Sequence, residues 1–408
     1  MGPGEGAPPD KCDNGSVTVP ASEPSTGSTE RRFGELDGLR AIAMTLVFVY
    51  HFGLFSVPLL AIGEPLAAPS TWGARIIPNL QLGVEIFFVL SGFLIYRPFA
   101  RARRDGSRVR VGAYALRRAL RIYPAYWVAL VVLIARHDIY VNGAANFLKH
   151  ATLTQSYCAD RGMVGTREPG MVVAWTLVVE MSFYVFVPIW ASVVARRVPV
   201  RAEVGALAAL AVLGLFVRWW AVYHDVWPWV TVLPSAMAAL APGMLCAIAV
   251  VHRDRWREPW TRVASRRWLW FAAAAGVFLW LVRVAYGSPL FAIFVEGEAL
   301  AWHKLLAPVV GVLIVVPVAL NPTATRRRTL AHPALVAVGT VSYGGYLWHH
   351  SLMYHHIDRD VVNDMTAFNA SLLMAGLFVF VLVVAAASWF IVERPSLRLA
   401  DRLARRGG

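Results

Sequence analysis

Leu36-Asp37-Gly38-Leu39-Arg40 … Val49-Tyr50-His51 opens a long apolar run, yet it carries an arginine and a histidine eleven residues apart. At about 100° per residue in an α-helix, eleven steps return the second side chain to within about 20° of the first. Arg40 and His51 therefore share a face, roughly 16 Å apart along the axis. If this helix crosses a bilayer, Arg40 sits near one water interface and His51 lies deep. Ionisable side chains at that depth are costly, so they usually line a protein interior or a wet cavity and do work there. The plainer alternative makes Arg40 a snorkelling anchor and His51 an interhelical hydrogen bonder.

The rest of the chain supports a membrane setting. Of 408 residues, 57% are hydrophobic and 16% are charged, where a soluble chain of this size carries about 25% charge. The mean hydropathy is +0.53. Sixteen tryptophans suit membrane interfaces. Cys12, Cys158 and Cys246 are odd in number and widely spaced, and form neither a disulfide framework nor a metal motif. Residues 1–32, rich in Gly, Pro, Ser, Thr and Glu, read as a disordered tail without a cleavable signal.

Apolar segments of spanning length fall at about 36–57, 80–97, 122–138, 173–195, 203–223, 230–251, 268–285, 303–320, 334–354 and 368–391. The expected fold is an all-α polytopic membrane protein, about ten transmembrane helices forming one bundle. Its membrane domain runs over 33–395, with a basic tail at 396–408. Alternate connections hold 29 of the 39 Lys and Arg residues. That excess makes their side cytoplasmic, with both termini inside, and assigns the net charge of +14 to topology rather than to nucleic acid. On the outer side, 139–172 is expected to be the longest loop, and Arg218 and Arg283 to snorkel. The chain ends at Gly408 soon after the last span, so no appended outer catalytic domain is expected.

Several words carry possible chemistry. Gly83-Val84-Glu85-Ile86-Phe87-Phe88-Val89-Leu90-Ser91-Gly92-Phe93-Leu94-Ile95 has small residues that allow close helix approach and an unusual carboxylate, Glu85. In Arg117-Arg118-Ala119-Leu120-Arg121-Ile122-Tyr123-Pro124, Arg118 and Arg121 share a helix face at a cytoplasmic entrance, and arginine forks suit phosphate oxygens. There, Tyr123 and Pro124 fix how the chain enters the membrane. Trp175-Thr176-Leu177-Val178-Val179-Glu180 places Glu180 at nearly the depth of His51, so that the two could pair and the acid orient the imidazole. In Ser342-Tyr343-Gly344-Gly345-Tyr346-Leu347-Trp348-His349-His350, Tyr346 and His349 share a face and line a pocket. Four histidines, His349, His350, His355 and His356, invite a metal. No carboxylate or cysteine pattern supports one, and adjacent histidines on a helix point apart, so no metal is expected.

Together, in this order from Phe33 to about Pro395, these words resemble the acyltransferase-3 family of integral membrane acyltransferases. The Arg40–His51 spacing, with the Gly-Val-acid-x-Phe-Phe and Ser-Gly-Phe words, is the specific part. The resemblance implies an enzyme that moves an acyl group, most commonly acetyl, from acyl-CoA to a hydroxyl. The acceptor is usually a sugar on a cell-surface glycan, a glycolipid or a glycoside such as a macrolide, and the setting is the bacterial inner (plasma) membrane. It places the family's arginine and histidine on Arg40 and His51, and its acid on Glu85.

Elementary chemistry points the same way. Coenzyme A is anionic at one end, with a thin uncharged arm. Arg40, Arg118 and Arg121, with Tyr123 at the entrance, would hold the phosphates. The thioester would then arrive near His51, acting as general base or as an acyl carrier, with Glu180 setting its tautomer. Glu85, Ser91, Tyr346 and His349 would meet the acceptor. Two other classes stay open: a transporter or flippase using His51, Glu180 and Glu85 as a relay, and a sensor or scaffold without catalysis.

Overall fold

In lipid, backbone N–H and C=O groups must be satisfied within the protein, which leaves helices or a closed barrel. The computed structural model takes the helical solution, with no strand among the described residues. It describes residues 1–2, 27–56, 76–139, 141–157, 172–224, 226–255, 262–263, 265–284, 298–321, 330–357 and 365–406. The helices are α1 (Gly27–Ser56), α2 (Gly83–Arg104), α3 (Val111–Ala135), α4 (Gly143–Ala151), α5 (Trp175–Trp190), α6 (Val200–Tyr223) and α7 (Leu233–Val251). They continue with α8 (Arg267–Val284), α9 (Glu298–Leu320), α10 (Pro333–Thr340), α11 (Ser342–His356), α12 (Ala367–Ser388) and α13 (Arg394–Arg406).

Seven helical stretches among the described residues are long and apolar enough to cross a membrane. They contain α2, α3, α5, α6, α7, α9 and the run from α12 through α13. The other three expected spans fall on α1, α8 and the α10–α11 pair. Large apolar side chains stand exposed on the bundle's outside, among them Val212, Leu213 and Phe216 on α6 and Leu372, Val379 and Val383 on α12. A contiguous apolar exterior of this kind is suited to lipid rather than to water.

Three local features differ from the sequence reading. The ninth span breaks at Val341, where α10 ends and α11 begins. α3 begins at Val111, so Tyr123 and Pro124 lie about three turns inside the helix rather than at its entrance. The expected outer loop from 139 is not free over its first part. α4 and the chain after it turn back along α3, where Tyr126 Oη donates to the His150 carbonyl (2.8 Å) and Trp127 Nε1 to the Ala151 carbonyl (2.9 Å). Residues 158–171 lie outside the described residues. The expected tail boundaries also meet helix: α1 starts at Gly27, and the basic C-terminal stretch is α13.

Polar ties gather the arginine-rich helix ends at one end of the bundle. Arg103 at the close of α2 pairs with Glu203 at the start of α6, and Tyr96 donates to the same carboxylate. Arg267, opening α8, pairs with Glu35 at 2.8 Å. Arg117 of α3 pairs with Asp401 of α13 at 3.1 Å.

Two close crossings fix the helices that enclose the interior. α2 and α7 meet where a Cβ on Gly92 would strike the Leu240 carbonyl, and one on Gly243 the Val89 carbonyl. Only glycine lets the two backbones approach so closely. The same holds for α1 and α10, where a Cβ on Gly339 would strike the Asp37 carbonyl, and for Gly38 of α1, whose Cβ would strike the Leu330 carbonyl just before α10. The glycines of both quoted words are therefore packing positions that hold Arg40 and Ser91 in place.

Candidate active site

A cavity of about 310 Å³ opens among α1, α2, α3, α5 and α11. Arg40, Arg118 and Arg121 line it together with Glu180, Ser91 and Tyr346. Six expected site residues from five helices thus converge on one space. Arg40 Nε donates to Ser342 Oγ at 3.3 Å. The Arg118 guanidinium lies 5.7 Å from the Tyr114 ring and 5.4 Å from that of Tyr184, which holds it by cation–π attraction. Tyr184 Oη donates to Glu180 Oε1 at 2.5 Å. Three guanidinium groups face a single carboxylate in this lining, leaving an excess of positive charge for an anionic or strongly polar guest.

At the end away from the arginines the cavity closes against Phe87 and Tyr346, whose rings are 5.9 Å apart. Tyr346 Oη donates to the Val173 carbonyl (3.3 Å) and lies 3.0 Å from Thr176 Oγ1. Beyond Tyr346 stands the imidazole pair. The ring of His349 is 5.5 Å from that of Tyr346 and 4.9 Å from that of His51. His51 thus faces the bundle interior, separated from the cavity by one layer of aromatic side chains.

The ring tautomers follow from the partners. His51 Nδ1 is 2.9 Å from the Val47 carbonyl, and His349 Nδ1 is 2.7 Å from the Tyr346 carbonyl. A carbonyl only accepts, so each Nδ1 carries the proton. His349 Nε2, 3.2 Å from His51 Nδ1, is then a second acceptor for that proton. With Nδ1 protonated, the neutral form of His51 carries its lone pair on Nε2.

Glu180 does not pair with His51 as expected. It faces Arg40 and Tyr184 instead. Thr176, in the first turn of α5, is level with Tyr346. His349 is three residues further out on α11, and Glu180 four residues further in on α5. That separates them by about 10 Å along the bundle axis. The Val47 carbonyl, one turn back on α1, does the orienting instead.

Tyr123 is also outside the cavity: its hydroxyl donates to the Thr152 carbonyl at 3.3 Å. Glu85 is buried beside α6 and α9, where Arg218 Nη1 donates to its Oε1 at 2.6 Å. Arg218 does not snorkel; at 3% exposure it also donates from Nε to the Ser235 carbonyl (2.8 Å). Glu85 and Arg218 therefore form a buried pair next to the site, not part of its lining.

Two groups escaped the sequence reading. Asp138, just past α3, is buried; it pairs with His355 and accepts from Ser351 Oγ at 3.2 Å. Its carboxylate supplies the acid partner that the histidine run lacked in sequence. Glu393 is buried at the join of α12 and α13 in a widened π-type turn, accepting from Ser388 Oγ at 3.1 Å. The signal for it was a lone carboxylate at the end of an apolar run, Phe390-Ile391-Val392-Glu393. Among the described residues, no group of three or more His, Cys, Asp or Glu is placed to hold a metal ion.

An all-helical membrane body that encloses an arginine-lined cavity next to a pair of imidazoles has the build of a membrane enzyme. The chain belongs to the acyltransferase-3 family: the model of that acyltransferase domain matches residues 33–392. It is 25% identical over 407 residues to nodulation protein 10 of Rhizobium leguminosarum bv. viciae, across 95% of this chain and 98% of that one. It is 25% identical over 395–398 aligned positions to two further proteins, among them acyltransferase MdmB of Streptomyces mycarofaciens, across 91% of this chain and 93% of that one. With the peptidoglycan O-acetyltransferase OatA of Listeria monocytogenes it shares 22% identity, across 88% of this chain but 55% of that protein. No solved structure matches. The protein is an integral membrane acyltransferase, which decides against the transporter and scaffold readings.

Proposed function

We propose that the protein is an O-acyltransferase of the bacterial plasma membrane that uses acyl-CoA, acetyl-CoA foremost. The acceptor is a hydroxyl on a sugar-containing molecule: a cell-surface glycan, a glycolipid or a glycosylated natural product such as a macrolide. The observation that carries this is the single cavity that runs from Arg40, Arg118 and Arg121 to the layer below His51. The positive lining would draw in the anionic donor, whose uncharged arm would extend inward along it. OatA is named for O-acetylation of a glycan, which supports an oxygen nucleophile here.

In this mechanism His51 Nε2 takes the proton of the acceptor hydroxyl as its oxygen attacks the thioester carbonyl. The tetrahedral intermediate collapses with cleavage of the C–S bond, and the imidazolium returns the proton to the departing sulfur. Val47 and His349 hold the ring in the tautomer that step requires. Phe87 and Tyr346 must part as the arm enters, because they stand between the cavity and the imidazole. Glu180, hydrogen-bonded to Tyr184, is assigned to shaping the charge around Arg40. Glu85, paired with Arg218, is assigned a supporting role rather than contact with the acceptor.

The test is thiol release from acetyl-CoA by the purified protein in lipid nanodiscs, with Arg40→Ala and Arg121→Ala for comparison. Release is expected above empty nanodiscs, with KM raised by about tenfold in each variant. No release above the blank would overturn the choice of donor.

A further inference from the structure

Phe87, Leu90, Leu94, Arg97 and Arg101 recur at three- and four-residue steps along α2, so they form one stripe on that helix. The stretch from Phe87 to Leu94 walls the active-site cavity. The stretch from Leu94 to Arg101 walls a second cavity, of about 420 Å³, at the arginine-rich end. The loop after α2 encloses that space from the other side and brings in Asp105 and Arg108. Leu94 belongs to both walls, so the two spaces adjoin.

The arginines near this cup divide into two groups. Arg103 pairs with Glu203 and donates to the Val198 carbonyl, and Arg104 pairs with Asp254 at 3.3 Å. These two fasten α2 to its neighbours. Arg101 and Arg108 are exposed and make no ion pair among the described residues. With Arg97 they set three guanidinium groups against one carboxylate, Asp105, around an open space. Guanidinium forks so arranged suit phosphate oxygens.

The dimensions favour a divided ligand. About 310 Å³ lies at the lower end of the roughly 300–1,000 Å³ typical of small-molecule pockets. It accommodates an acyl group and a narrow arm, but not a nucleotide as well. From Phe87 to Arg101 is about 21 Å along the helix. The pantetheine arm, a chain of two amide units with linking carbons, extends roughly 15 Å. An arm threaded past Leu94 would thus leave its phosphates beside Arg97 and Arg101.

We propose that the cup of Arg97, Arg101 and Arg108 binds the phosphates at the nucleotide end of coenzyme A, while the arm enters the active-site cavity past Leu94. This rests on acyl-CoA being the donor, as set out above.

The test compares acetyl-CoA with S-acetylpantetheine, which keeps the thioester and arm but lacks the nucleotide. In the Arg101→Ala/Arg108→Ala double variant, KM for acetyl-CoA is expected to rise about tenfold or more with kcat little changed. Turnover of S-acetylpantetheine should match wild type. A second measurement uses free CoA and 3′-dephospho-CoA as inhibitors: wild type should prefer CoA several-fold, and the double variant should lose that preference. An unchanged KM for acetyl-CoA, or equal losses with both donors, overturns the cup while leaving the donor assignment standing. Failure of wild type to release thiol from acetyl-CoA overturns the donor assignment, and the cup with it.

Discussion

His349 Nε2 lies 3.2 Å from His51 Nδ1, although 298 residues separate the two in the chain. The contact joins α1 to α11 at the point where the cavity closes. It makes His349 a second acceptor for the proton that the Val47 carbonyl already holds on Nδ1. His349→Ala should therefore lower kcat by about tenfold, well short of the loss from removing the base itself, since general-base catalysis contributes roughly 10²–10⁴-fold. Thiol release from acetyl-CoA measures both. An equal loss in the two variants would make His349 the base.

Glu180 stands with Arg40 and Tyr184, about two helical turns from the imidazoles. Glu180→Gln should change KM for the donor by a few-fold and leave the pH dependence of kcat in place. A shifted pH profile with a large fall in kcat would instead mean that Glu180 acts on His51 directly.

Arg218 and Glu85 form a buried ion pair at 2.6 Å. Removing one partner strands the other charge, at a cost of about 3–5 kcal/mol, whereas replacing both with apolar residues is often near neutral. Arg218→Met should therefore destabilise the detergent-solubilised protein strongly, and Glu85→Leu/Arg218→Met should recover most of the loss. Thermal unfolding followed by circular dichroism distinguishes these outcomes. A double variant no more stable than Arg218→Met would give Glu85 a role beyond pairing.

Gly92 and Gly243 set the crossing of α2 and α7. Gly92→Val adds a branched side chain where the Leu240 carbonyl already lies, and should abolish the monodisperse peak on size-exclusion chromatography. Ser91→Ala, one residue away in the cavity lining, should elute as wild type. Normal elution of Gly92→Val would show that the crossing is looser than its geometry implies.

Much of this was legible in the chain because the signals are local. Spanning helices follow from runs of apolar residues, and the clustering of arginines at one end follows from their positions between those runs. Arg40, Glu180, Ser91 and Tyr346 stand out as polar groups in apolar surroundings, Arg118 and Arg121 as a same-face pair at a helix entrance, and all six line one cavity. What failed was depth and partnership. Position along the two spans suggests equal depth for Glu180 and His51, but α5 begins level with Tyr346. Tyr123 reads as a helix-entrance residue because nothing in sequence marks the polar turns from Val111 onward as part of the same helix. Arg218 reads as a snorkelling residue because its partner, Glu85, lies 133 positions away in the chain. Asp138 escaped notice because its histidine is 217 positions away.

The central claim is that an acyl thioester enters from the arginine-rich end and is attacked under base catalysis by His51. The most direct measurement is single-turnover transfer from radiolabelled acetyl-CoA in nanodiscs, comparing wild type with His51→Ala at saturating donor. The account predicts a rate lower by about 10²–10⁴-fold in the variant, with donor affinity preserved. Transfer in His51→Ala at the wild-type rate would contradict it.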